Sequence, residues 1–173
     1  MRNVLAFAIL WLALIVQSTL FQVQPLRLVQ PNLVLVTLCF VALARGVRPA
    51  LVLGVLIGFI QDFDYGTFVG LYAFAYGLTG YFAAAMFAQF LQRNVALTFL
   101  VAIGQTFAFD WVTYGITRLF DMTTSGWRPV LAHSLWDMLV DGICTLLLYP
   151  LLTRWFTARG GSRYRTDEEE PAG

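Results

Sequence analysis

The stretch Val95–Phe120, VALTFLVAIGQTFAFDWVTYGITRLF, decides the fold. Its only charged residues are Asp110 and Arg118. It exceeds the roughly 20 apolar residues that a helix needs to cross a bilayer. The apolar run is continuous rather than alternating, so it does not read as a strand of an outer-membrane barrel. Comparable runs lie on either side of it. They predict helices over Val4–Phe21, Pro31–Ala44, Pro49–Gln61, Thr67–Leu91 and Pro129–Phe156, with Val95–Phe120 as the fifth of six.

Composition agrees. Hydrophobic residues make up 59% of the 173-residue chain and charged residues 12%, and the mean hydropathy is +0.72. A soluble domain of this length needs a more polar exterior. The sequence therefore predicts an all-α integral membrane protein. It would be a compact bundle of about six transmembrane helices over residues 1–156. Residues 157–173 carry glycine, arginine and the acids Asp167, Glu168, Glu169 and Glu170 without apolar periodicity. They are expected to form a disordered cytoplasmic tail.

Several classes are excluded at this level. A net charge of +1 offers no basic face for nucleic acid. Cys39 and Cys144 both lie inside apolar runs and read as small core residues, not as a disulfide or metal pair. The first run follows Arg2 as a signal peptide would. It lacks a small-x-small cleavage site before Gln22 and Gln24, so a retained helix is expected.

Arginine placement predicts orientation. With the N-terminus inside, the inner segments hold Arg2, Arg45, Arg48, Arg93, Arg154, Arg159, Arg163 and Arg165, and the outer ones only Arg27, Arg118 and Arg128. Both termini are then cytoplasmic.

Local chemistry adds detail. Pro31 suits a first helical turn, where its missing N–H costs nothing. Arg45–Pro49 and the acidic stretch Asp62–Gly66 read as turns. Gly54 and Gly58 are four apart on helix three, and Gly66 and Gly70 repeat the spacing. Lipid tails are as apolar as leucine, so small residues stabilise membrane helices by letting backbones approach. That approach serves packing within the chain or an interface with another protein. Asp62 and Asp64 read as helix caps or as an acidic spot for a partner.

Polar residues within the apolar runs form a further group. Asp110 lies mid-helix, and His133, Asp137 and Asp141 share one face of the sixth helix at four-residue spacing. A carboxylate at the bilayer centre costs about 2.5–3.5 kcal/mol on insertion scales, so these groups should face protein or water. They read as a buried polar face that fixes packing or binds a partner, or as a proton or substrate pathway. No Gly-x-Ser-x-Gly, His-Glu-x-x-His, Walker loop or Cys-x-x-Cys is present, and the chain has a single histidine. The chain is expected not to be an enzyme and to hold no cofactor or metal.

One family shares this pattern. Pro31-Asn32 precedes the aliphatic run Leu33-Val34-Leu35. Gly54-x-x-x-Gly58-x-x-x-Asp62 is followed by Gly66, by Gly70-Leu71-Tyr72-Ala73 and by Gly80-Tyr81. Leu148-Tyr149-Pro150-Leu151-Leu152 lies near the end. These residues resemble the bacterial rod-shape-determining family MreD, most specifically over Pro31–Tyr81. Phe68-Val69 stands where a proline is common in the family. The His133–Asp137–Asp141 face is no part of the family pattern.

The resemblance implies a multi-pass protein of the bacterial cytoplasmic membrane without enzymatic activity. It implies direct binding to MreC, in an assembly with MreB, RodA and a class B penicillin-binding transpeptidase. It also implies a fold resembling the substrate-binding membrane subunit of energy-coupling-factor transporters. Two functions follow as expectations. The first is a membrane scaffold of the cell-elongation machinery that helps position or regulate peptidoglycan synthases. Its interface would use Asp62–Tyr72 and the glycines of helix three. The second is the substrate-binding subunit of a vitamin or metal transporter, using Asp110 and the polar face of helix six. A more distant option is an intramembrane enzyme built on Asp110, Asp137 and Asp141.

Overall fold

In a computed structural model, residues 2–20, 31–65, 69–89, 94–124 and 126–157 are described. They form six helices: α1 Arg2–Leu20, α2 Leu33–Arg45, α3 Val47–Tyr65, α4 Leu71–Gln89, α5 Val95–Leu119 and α6 Trp127–Thr157. Gly66, the first loop (residues 21–30) and the expected tail from 158 onward lie outside the described residues. Three stretches, Leu71–Gln89, Val95–Leu119 and Trp127–Thr153, are long and apolar enough to cross a membrane. Val4–Thr19 and Leu33–Arg45 are apolar but shorter.

Helix α2 is the centre of the bundle. Residues Val34 to Leu43 are all buried, and α2 packs against each of the other five helices. A helix that is apolar all round is stable only when surrounded. That explains its shortness: it is enclosed by protein, so its length need not match a bilayer. Pro31 lies outside α2, which corrects the expected start. Asn32 is the N-cap, and its Oδ1 accepts from the Leu35 N–H at 3.0 Å.

Two expected turns are largely helical. The break between α2 and α3 is Gly46 alone, at φ 80° and ψ −169°, a backbone region open essentially only to glycine. Its carbonyl accepts from Ala50 N–H at 3.2 Å, so Arg48 and Pro49 enter the first turn of α3, where proline is tolerated. Similarly, Asp62, Phe63, Asp64 and Tyr65 form the last turn of α3 rather than a turn of their own. This extension carries the Asp62 carboxylate, 4% exposed, to the start of α4.

There Asp62 holds three backbone amides. Its Oδ2 accepts from Gly70 N–H at 2.9 Å and Ala73 N–H at 3.0 Å, and its Oδ1 from Tyr72 N–H at 2.8 Å. The first amides of a helix have no partner within it and carry partial positive charge, so a carboxylate there is favourable twice over. Gly70, at φ 108°, gives the chain the left-handed step needed to aim its N–H at Asp62.

Below this cap α3 and α4 meet backbone to backbone. A Cβ on Gly54 would lie 2.7 Å from the Tyr76 carbonyl oxygen, and one on Gly58 only 2.4 Å from Ala73 Cα. The helix-three glycines thus pack against α4 of the same chain. Gly80 continues the seam, where a Cβ would meet Leu38 at 3.1 Å and the Ala50 carbonyl at 3.2 Å. Leu71 is buried, whereas Tyr81 is 41% exposed and points away from the core. Gly104 on α5 has nothing within 4 Å of the same position.

Gly58→Ala should therefore destabilise the purified protein by about 1–3 kcal/mol, the cost of overpacking against atoms that cannot move aside. Gly104→Ala should stabilise it by up to about 1 kcal/mol through helix propensity. Thermal unfolding of the two variants in detergent, beside the parent, checks the contrast.

Candidate functional site

The polar residues of the six helices meet at one end of the bundle. Alternating helix directions bring together the C-terminal part of α1, the start of α2, the end of α3 and the start of α4. The second half of α5 and the first half of α6 complete the group. Here a cavity of about 310 Å³ is lined by Gln17, Asn32, Gln61, Tyr72, Thr106, Phe109, Asp110, His133, Trp136, Asp137 and Asp141.

Asp141 ties the wall together. It is 1% exposed. Its Oδ1 accepts from the Asn32 backbone N–H at 2.7 Å, and its Oδ2 from the Thr106 hydroxyl at 2.8 Å. One carboxylate thus joins α6 to the start of α2 and to the middle of α5. Gln17 Oε1 lies 3.3 Å from the Val34 N–H it accepts, which fastens α1 to the same helix start.

Tyr76 braces this wall from behind, fully buried. Its hydroxyl lies 3.1 Å from Asn32 Oδ1 and 3.0 Å from Gln61 Oε1. A phenol has one proton, so it donates to one of these and turns a lone pair to the other amide. The Tyr76 ring stacks on Phe109 at 4.7 Å, and Tyr72 stacks beside both at 6.2 and 6.1 Å. The seam between α3 and α4 thereby fixes Gln61, Tyr72 and Tyr76 relative to α5.

The mouth is acidic. His133 Nε2 and Asp137 Oδ2 are 3.2 Å apart, one helical turn from each other, with the histidine side chain 75% exposed. Asp110 faces them from α5. Its Oδ2 is buried with only the Ser134 hydroxyl beside it. Among the described residues no group of three or more His, Cys, Asp or Glu could hold a metal ion. The arrangement is built to accept hydrogen bonds and positive charge.

The expected polar residues Asp110, His133, Asp137 and Asp141 do come together, with Asn32 beside them. Gln17, Thr106, Phe109 and Trp136 were not singled out from sequence, and Tyr72 only as part of the Gly70–Ala73 motif. Gln17, Gln61 and Tyr72 sit near the ends of apolar runs, at ends that an up-and-down bundle places side by side. That common level was the available signal. Asp62 lies behind the wall as a helix anchor, whereas Asp64 is exposed. Cys39 is buried, and Cys144 is half-buried and likewise free.

Asp141→Ala would leave the Asn32 amide without its acceptor and the Thr106 hydroxyl with only the Ala102 carbonyl, 3.2 Å away. It should cost about 1–3 kcal/mol of stability. Thr106→Val alone should cost less, and the double variant less than the sum of the two, because they share one hydrogen bond. Chemical unfolding of the three variants measures this coupling.

No curated protein and no solved structure matches the chain, so the likeness to energy-coupling-factor subunits gains no support from known structures. A family comparison does give a match, to rod shape-determining protein MreD, over residues 1–158. It takes in all six helices and every residue that lines the cavity. An all-helical chain with apolar spans and this match is a membrane protein, and it belongs to the MreD family of rod shape-determining proteins.

Proposed function

We propose that this chain is a non-enzymatic scaffold of the rod-shape machinery, resident in the bacterial cytoplasmic membrane with both termini inside. In this reading it binds MreC and helps position or regulate peptidoglycan synthases. MreB, RodA and a class B penicillin-binding transpeptidase belong to the same assembly. The observation that carries the reading is the family match over residues 1–158. The arginine bias supports the orientation, which sets the cavity in the outer half of the bundle.

The partner surface follows from what the fold leaves uncovered. Gly54, Gly58 and Asp62 are spent on α4. The same end of α3 and the start of α4 expose Phe63 (75%), Val69 (58%) and Phe74 (54%). They sit at helix ends beside the exposed Asp64, the level where a membrane helix leaves lipid, and there large apolar side chains suit a protein partner better than they suit water. MreC is that partner in the proposed assembly, and this rim takes the place of the glycines as the contact.

Depleting the protein in its native bacterium should turn rods into spheres, as seen by microscopy. Retained rod shape would overturn the reading, and a nutrient requirement in its place would point to transport. For the surface, Phe63→Ser combined with Val69→Ser should strongly reduce recovery of MreC on co-purification without lowering the level of the folded protein. Undiminished recovery would exclude this rim.

A further inference from the structure

The cavity is not accounted for by scaffolding. A packing interface has no use for an open space of about 310 Å³, which is the lower end of the ~300–1,000 Å³ typical of small-molecule sites. Its lining also departs from what helix packing alone requires. Asp110, Asp137 and Asp141 all contribute carboxylates, and no arginine is among the lining residues. His133 is the only lining group able to carry positive charge, and it is exposed and turned to Asp137. Buried polar atoms are nearly always paired, yet Asp110 Oδ2 has only the Ser134 hydroxyl beside it and no other partner among the described residues.

The remaining lining decides the class of ligand. A metal ion would need a tighter set of ligands than these residues form. Trp136, Tyr72 and Phe109 bring aromatic rings to the same space. Carboxylates together with aromatic faces recognise organic cations, through charge and through the ring quadrupole. The amide and hydroxyl groups of Gln17, Gln61 and Tyr72 can then meet a neighbouring hydroxyl or phosphate oxygen.

We propose that this cavity binds a compact primary ammonium group, held between Asp110 and Asp137 and against the Trp136 ring. Two sources present that group: a free small amine, and the ethanolamine headgroup of a bilayer lipid. Trp136 lines the cavity and is about half exposed, so the ring is within reach of a headgroup as well as of a free amine. This binding is independent of MreC and goes beyond the scaffold reading.

The test uses the full chain in a nonionic detergent and reads thermal unfolding. Ethanolamine is added in one arm and ethylene glycol, its neutral counterpart, in a second. Mixed micelles carrying dilauroyl-phosphatidylethanolamine or dilauroyl-phosphatidylglycerol form the third and fourth. At about 100-fold excess over Kd, a ligand of the folded state should raise Tm by about 5–10 °C. Ethanolamine and the ethanolamine lipid should both do so if a free amine suffices, and the lipid alone if the headgroup must arrive on its chains. The shift should vanish in Asp110→Asn/Asp137→Asn and persist in Asp64→Asn, outside the cavity. Should the double variant not fold, Trp136→Leu takes its place and should reduce the shift. The proposal is overturned if neither amine raises Tm, if the neutral counterparts do so equally, or if the cavity variants keep the full shift.

Discussion

A carboxylate on the bare end of a helix organises this molecule. Asp62 receives three amides at the start of α4, inside the protein and away from competing water. That contact holds α3 and α4 in register, and the register is what lets Gly54 and Gly58 lie flat against the backbone at Tyr76 and Ala73. In lipid, apolar burial gives little preference for one helix over another, so close packing and polar contacts carry the specificity. A methyl group at Gly58 or a lost acceptor at Asp62 acts on the same seam from two directions.

The seam governs the polar end of the bundle. Tyr72, Tyr76 and Gln61 lie on it, and through Asn32 they reach the Asp141 carboxylate that links α2, α5 and α6. Helix α2 is enclosed by the others and ends in this network, so its N-cap serves both as a local stop and as a wall of the cavity. Polar groups that would be costly singly in a membrane become tolerable when each has a partner. Gln105 and Trp111 on α5 depart from that rule among the described residues, and Asp110 on the same helix, at the cavity, has only the Ser134 hydroxyl beside it.

Much of this was legible in the residues. Six apolar runs gave six helices, because lipid requires backbone groups to be satisfied within each segment. The four-residue spacing of His133, Asp137 and Asp141 gave one face. The ends of α3 were not legible, since Pro49 and Asp62 are as common in turns as in first and last helical turns, and their tertiary partners decide between the two. Gly54 and Gly58 announced a close approach without naming the helix approached. Gln17, Gln61 and Tyr72 carry no local pattern; only the packing of separate helix ends reveals them as one wall. Family likeness located the motif-bearing segment Pro31–Tyr81 but was silent on the polar half of α6.

Rod-shape determination, a central seam and an acidic cavity belong to one account in which α4 must be anchored at its first turn. Residue-level amide hydrogen exchange of the protein in lipid nanodiscs measures that anchoring directly. The amides of Gly70, Tyr72 and Ala73 should exchange far more slowly than Ala96 N–H, which is held by the exposed cap Asn94 at the start of α5. They should approach the protection of mid-helix amides in α2. Exchange at the rate of a frayed helix end would contradict the account at its foundation.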